Sequence, residues 1–423
     1  MKESARARAE SSHARISALD PQLRSCIGVR EESISEAALI DAGVSRGSLA
    51  GWTIGIKDNF DVAGTPRSDG LGPPLPRAAE EDSEAVRRLR AAGAVIVAKT
   101  NLEELSFGAT TQNRAWGRCR NPWDLTRIPG GSSGGSAVAV AAGLVDAALG
   151  TDTGGSLRNP AALCGISALR PTHGWISRRG VTPLSPSMDV VGPMARSVTE
   201  LRPLLAALTN KGEVPGSSTL SALAVGVHGD YFAEDIDDQV AGSFDALLGL
   251  LHSVGARLVN VAFSRVPEVA EAMATLQNAE AAQSLMSYWD DPRVSEGIRE
   301  RLNIGRSATR RQLEAASQTA ESWRVEVADA FEHVDVIVTP ATPFVAPPIQ
   351  NENIVRLSRQ INKFTGCWSL AGMPALVVPL QLSANRLPVG GQLIGRKGSD
   401  WQLLGICEAI QAASGWHEAT PPT

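Results

Sequence analysis

The order of helix and strand signals along this 423-residue chain predicts an α/β fold built as a single large domain. One observation is a helix followed directly by a strand. Asp82, Ser83 and Glu84 put acids in the first turn of a helix over residues 85–92, Gly93 stops it, and the apolar run 94–98 follows as a strand. The alternation recurs as a helix over 136–143, a strand over 146–149, and a glycine loop that opens a helix at about Ser156. Strand, loop and helix in this order present functional groups at a sheet edge. Finally, 43% hydrophobic content in a chain of this length supports a large core, and the protein is an ordinary globular one.

The remaining elements follow in order. Residues 4–19 have helical spacing without strong apolar content and predict a surface helix. Residues 52–57 alternate apolar positions as a short buried strand, ended by Asp58 and Asn59, which places Lys57 at a strand end. Beyond residue 200, strands are expected over 223–227, 258–261, 336–338 and 375–379, and helices over 239–251 and 310–331. The serine- and glycine-rich stretch 210–221 reads as a linker, yet the strands on both sides of it read as parts of one sheet. No internal repeat is visible. The expected layout is one domain over 1–423, with a catalytic core at about 50–200 and 335–415 and a substrate-selecting insert at about 210–335.

Composition narrows the function. A formal net charge of −5 leaves no basic face of the size nucleic acid requires, and Arg6, Arg8 and Arg15 are too few to supply one. Residues 1–26 carry charges and serines where an export signal would need an apolar run, so a cytoplasmic protein is expected. The longest small-apolar run, 137–145, is cut by Asp146 and falls far short of the roughly 20 residues of a membrane span. Five cysteines, Cys26, Cys119, Cys164, Cys367 and Cys407, stand singly, which fits reduced, mostly buried thiols. The six histidines include no i, i+4 pair, so no metal is expected, and no cofactor.

The chemistry concentrates in two glycine-rich loops that end on serines: Pro129-Gly-Gly-Ser132-Ser133-Gly-Gly-Ser136 and Gly150-Thr-Asp152-Thr153-Gly154-Gly155-Ser156-Leu-Arg158. A serine hydroxyl is a poor nucleophile at neutral pH and needs a base within reach. A histidine base has His173 as its only nearby candidate, and no serine here stands in a GxSxG frame. A phosphate-binding loop is disfavoured because the first stretch lacks the Gly-Lys-Ser/Thr ending. A lysine base remains: Lys57 lies on an apolar strand, where burial disfavours the charged amine and leaves it able to accept a proton.

Lys57 does not stand alone. Gly51-Trp-Thr-Ile-Gly-Ile-Lys57-Asp-Asn-Phe, the two serine loops, Leu169-Arg-Pro-Thr-His-Gly-Trp, Val191-Gly-Pro-Met, Val338-Thr-Pro-Ala-Thr-Pro, Leu370-Ala-Gly-Met-Pro-Ala and Leu387-Pro-Val-Gly-Gly-Gln-Leu-Ile-Gly together resemble the amidase signature family. The resemblance covers most of the chain. It implies a central mixed β-sheet flanked by helices on both faces, and a catalytic set of Lys57, Ser132 after a cis peptide bond with Gly131, and the nucleophile Ser156 twenty-four positions later. Ser132 would relay a proton between Ser156 and neutral Lys57. Thr153, Gly154, Gly155 and Ser156 are expected to form the oxyanion hole, where each preorganised N–H is worth about 3–4 kcal/mol. Gly131, Ser133, Asp152 and Arg158 are expected to support the loops or touch substrate. His173 reads as packing or a supporting hydrogen bond, and Trp116, Trp123 and Trp175 as core residues of which one could wall the pocket.

The expected activity is hydrolysis of a small amide, carbamate or ureide through an acyl-enzyme on Ser156, releasing ammonia or an amine, with a homodimer as the default assembly. The alternative is the A subunit of a glutamine-dependent tRNA amidotransferase. That role calls for an arginine near position 320 and an acid near 362, where this chain carries Ala320 and Asn362. A third reading, a silent binding protein, sits poorly with intact Lys57, Ser132 and Ser156.

Overall fold

The computed structural model describes residues 4–44, 47–73, 75–209, 211–212, 219–228, 231–349 and 354–422. Eleven strands among them form one mixed sheet: β1 Cys26–Val29, β2 Thr53–Lys57, β3 Val95–Thr100, β4 Ala147–Asp152, β5 Ser167–Arg170, β6 Val190–Ala195, β7 Ala224–Val227, β8 Arg257–Asn260, β9 Val336–Pro340, β10 Ala375–Pro379 and β11 Gly390–Gly395. Their order across the sheet is β1-β3-β2-β4-β6-β5-β10-β11-β9-β7-β8. Strands β3, β2 and β4 run parallel, as do β9, β7 and β8, while the pairs between β4 and β9 are antiparallel.

Period-two alternation assigns each strand's side chains to two cores. Ile54 and Ile56 of β2, Leu376 and Val378 of β10, and Val336 and Val338 of β9 join a core covered by helices Glu84–Ala91, Val198–Leu208, Asp238–Ser253 and Asp400–Ser414. The opposite face is covered at one end by helices Ala5–Leu23, Gly134–Ala141 and Arg158–Cys164. At the other end it is covered by Val266–Ser284, Arg310–Ala330 and Gly366–Ala371. The central sheet with helices on both faces is therefore the arrangement that the family resemblance implied.

Several boundaries move, for physical reasons. The strand expected over 146–149 continues through Gly150 and Thr151 to Asp152, because β6 pairs with it as far as Asp152 opposite Val190. The helix expected from about Ser156 begins at Arg158. The helix placed on the surface over 4–19 runs to Leu23 and buries Ala5, Ala9, Ser12, Ile16 and Leu23, a stripe of mostly small residues that packs closely without being strongly apolar. Of the linker expected over 210–221, residues 210 and 213–218 lie outside the described residues. Strands β7 and β8, within the expected insert, are hydrogen-bonded into the same sheet through β9, so this part of the chain is no separate unit.

Parallel pairing positions the site. Ile54, Gly55 and Ile56 of β2 lie opposite Ala147, Ala148 and Leu149 of β4. The end of β2 at Lys57 therefore falls beside Gly150 and Thr151, close to the end of β4 at Asp152, and the second serine loop leaves the sheet near the lysine.

Candidate active site

Lys57 and Ser132 are fully buried, and Ser156 is 8% exposed at the end of its loop. Lys57 Nζ lies 2.7 Å from Ser132 Oγ and 2.8 Å from Thr151 Oγ1. Burial lowers the Lys57 pKa from 10.5 to about 7, against the opposing pull of Asp152, Asp189, Glu103 and Asp69. A neutral amine here can donate to Thr151 and accept from the Ser132 hydroxyl. The Gly131–Ser132 peptide bond is cis. A methyl group on Gly131 would lie 2.8 Å from Thr110 N and from Thr111 Oγ1, so this bend packs against the neighbouring loop.

Backbone hydrogen bonds hold the two serine loops together. Ser133 N donates to Ser156 O at 3.2 Å, and Ser133 Oγ donates to Thr151 O at 3.2 Å, which gives Ser133 a loop-supporting place. Glu103 N donates to Ser132 O at 3.1 Å, while Glu103 Oε2 accepts from Thr110 N and Thr111 N. Among the described residues, the Ser156 hydroxyl has no hydrogen-bond partner.

The expected oxyanion hole needs one correction. Gly155 N–H donates to Asp152 Oδ1 at 2.9 Å, so it holds the loop's shape and is not free for a substrate oxygen. Among the described residues, the N–H groups of Thr153, Gly154 and Ser156 have no protein acceptor. Thr153 is further held by its hydroxyl, which donates to Asp189 Oδ1 at 2.6 Å, and Gly154 by its carbonyl, which accepts from Thr365 Oγ1 at 2.7 Å. Gly155 has φ +139°, and a methyl there would fall 2.2 Å from Thr365 Oγ1, so only glycine fits.

Asp152 and Arg158 support this loop from beneath. Asp152 receives Arg158 Nη2 at 3.0 Å and Arg170 Nη1 at 3.0 Å, and all three side chains are wholly buried. Burial acts to raise the Asp152 pKa, but the two guanidiniums outweigh it and hold the carboxyl well below its usual range. Arg158 also reaches Thr365 O, Gln392 Oε1 and Ser369 Oγ. His173 Nε2 donates to Pro186 O, and Trp123 Nε1 donates to Cys164 O within the core.

Two cavities border the loops. One of about 250 Å³ is lined by Asn59, Thr151, Thr153 and Asp189 among others. A larger one of about 790 Å³ is lined by Met273 and Asn362, which face Gly154 of the nucleophile loop. The three tryptophans line neither. Sequence reasoning missed Thr151, Glu103, Arg170, Asp189 and Thr365 as members of the site. Thr151 and Arg170 stand inside the quoted motifs, and Asp189 lies two residues before Val191-Gly-Pro-Met; a parallel alignment of β2 on β4 would have brought Thr151 within one position of the residue opposite Lys57.

A mixed-sheet α/β domain that sets a buried lysine against serines on glycine loops defines a hydrolase of carbon–nitrogen amide bonds. The chain belongs to the Amidase family, whose model matches residues 8–404. It is 35% identical to the A subunit of glutamyl-tRNA(Gln) amidotransferase from Roseiflexus sp. (strain RS-1), covering 96% of this chain and 93% of that protein. Its structure superposes with a TM-score of 0.91 on a solved amidase at 33% identity, covering 98% of this chain and 97% of the other. It superposes with a TM-score of 0.82 on the native peptide amidase of Stenotrophomonas maltophilia at 28% identity, covering 100% and 96%. Among the described residues, no helix is long and apolar enough to cross a membrane.

Proposed function

We propose that this protein is a stand-alone hydrolase of a small amide, carbamate or ureide that works through an acyl-enzyme on Ser156. The observation that carries this reading is the 2.7 Å contact between a buried lysine of pKa about 7 and Ser132, on a loop bonded to that of Ser156. Neutral Lys57 accepts the Ser132 proton as Ser132 accepts that of Ser156, and Ser156 Oγ bonds to the carbonyl carbon. The N–H groups of Thr153, Gly154 and Ser156 take the oxyanion. Collapse breaks the C–N bond, the proton returns through Ser132 to the leaving nitrogen, and water then adds to the ester and frees the acid. Substrate choice falls to the helices of residues 266–306 and 354–366 that wall the larger cavity.

Ser156→Ala is expected to abolish amide turnover and labelling by a fluorophosphonate, read by ammonia release and intact mass. Full activity in this variant overturns the assignment. Ser132→Ala is expected to leave a small residual rate, because Lys57 and the oxyanion donors remain. A Ser132→Ala rate equal to wild type removes Ser132 from the relay.

A second reading, the A subunit of a tRNA-dependent amidotransferase, is favoured by relatives of that name at 34–35% identity. Against it, Ala320 is buried in an apolar core, and Asn362 is neutral, its Oδ1 accepting from Asn159 Nδ2 at 2.6 Å. Neither position offers the charge expected to grip glutamine. Ammonia released from glutamine only in the presence of partner subunits would establish this second reading and overturn the first.

A further inference from the structure

We infer that the larger cavity selects amides carrying an anionic group, a carboxylate above all, held by Arg301 and Arg359. This inference rests on the proposed amide hydrolysis and adds the substrate's charge.

The cavity abuts the nucleophile loop. A methyl built on Gly154 would lie 2.6 Å from Met273 Cε and 3.9 Å from Asn362 Nδ2, and both residues line the cavity. On the side of the other serine loop, Ser358 of the cavity wall accepts from Ala109 N through its hydroxyl, and a methyl on Gly131 would lie 2.9 Å from the Ala109 carbonyl carbon. A molecule filling this space therefore lies one layer of side chains away from both glycine loops, with Met273 and Asn362 on one side and Ser358 on the other.

The charges of the wall are uneven. Among the described residues that line the cavity, Arg301, Arg359 and Lys363 are cationic and Glu271 is the single acid. Lys363 is engaged elsewhere, with Glu234 O at 2.7 Å and Asp235 Oδ2 at 3.4 Å. Arg301 is held in place, its Cζ 3.5 Å from the centre of the Phe107 ring and its Nη1 donating to Phe107 O at 2.9 Å. Among the described residues, no carboxylate lies within ion-pair distance of Arg301 or Arg359. Glu103, the acid nearest in electrostatic effect, has its Oε2 taken by Thr110 and Thr111. Burial, and next the neighbouring positive charge of Arg359, lower the Arg301 pKa to about 9. The anchored Arg301 and the exposed Arg359 act on each other as like charges, with no carboxylate between them among the described residues, and an anion that binds compensates both; a planar carboxylate suits their forked donors.

The test uses unbranched primary amides from succinamate to suberamate, each paired with the neutral alkanamide of the same carbon count. The readout is the ratio of kcat/KM for the carboxylated over the neutral member, measured by ammonia release. Wild type is expected to favour the carboxylated member about 10-fold or more at its best length. Arg301→Gln and Arg359→Gln are each expected to bring that ratio toward one. Arg359→Glu is expected to shift preference to the matching ω-amino amides, a gain that misfolding does not produce. A wild-type ratio near one, or ratios unchanged in the three variants, overturns the inference while Ser156-dependent hydrolysis of the neutral amides still supports amide hydrolysis. Binding of the same pairs to Ser156→Ala protein, followed by calorimetry, reads the charge preference without turnover. Equal affinity for both members there also overturns it.

Discussion

Lys57→Met is expected to lower kcat/KM by about 10²–10⁴-fold, the range that a positioned proton acceptor contributes. The fold should survive, because an unbranched side chain of similar length fills the same buried slot beside Ser132 and Thr151. Only the neutral amine can take a proton, and burial lowers the Lys57 pKa to about 7. Wild-type kcat/KM should therefore rise about tenfold per pH unit below that point and level off above it. Stability has its own pH dependence. The lysine pKa is 10.5 in the unfolded chain and about 7 in the fold, so between these values the unfolded state holds the extra proton and stability increases with pH. Below about 7 both states are charged, and the whole penalty of a buried ammonium is present. The methionine variant carries no such penalty. Its melting temperature should equal or exceed that of wild type at pH 6, with the difference shrinking toward pH 10. A wild-type rate that is flat between pH 5 and 8, or a methionine variant of undiminished rate, refutes Lys57 as the base.

What the sequence made legible was local. Lys57 at a strand end, the two serine loops, and the helix-to-strand unit around Gly93 are each read from neighbouring residues, and each is found in place. The strands that escaped notice are poor in the usual signals. β6 carries Gly192 and Pro193 in the middle of the sheet, and β11 begins with Gly390 and Gly391, residues that ordinarily argue against a strand interior. They are tolerated because close approach demands small residues: a methyl on Gly192 would lie 2.2 Å from Leu169 O. Thr151 escaped notice although it stands inside a quoted motif, but other residues of the site and its cavity arrive from afar. Thr365 reaches Gly154 across 211 positions, and Arg301 meets Phe107 across 194, distances over which no spacing rule operates. The oxyanion loop teaches a similar lesson. Four consecutive N–H groups look equivalent in the sequence, and only the fold directs that of Gly155 to Asp152.

Asp152→Asn is expected to destabilise the protein by about 3–5 kcal/mol, as removal of one partner from a buried ion cluster does. Arg158 and Arg170 would remain wholly buried with no carboxylate between them. Their other partners, Thr365 O and Gln392 Oε1 for Arg158 and Met188 O for Arg170, are neutral. The depressed Asp152 pKa sets the pH window. From pH 5 to 9 the carboxyl is ionised in both folded and unfolded chains, so the loss should be constant there. Below about pH 4 the unfolded carboxyl takes up a proton, and the advantage of wild type should shrink as the pH falls further. The same substitution reaches the chemistry by two routes. Asp152 accepts from Gly155 N and Leu157 N, so an amide with a single acceptor oxygen loosens the loop that carries Ser156 and lowers kcat. Asp152 is also the strongest of the charges that raise the Lys57 pKa, so its neutralisation lowers that pKa further and moves the acid limb of the rate profile to lower pH. Calorimetric melts and pH–rate profiles on one variant would read all three effects. A melting temperature unchanged at pH 7 contradicts the structural role, and an acid limb that stays in place or moves upward contradicts the electrostatic one.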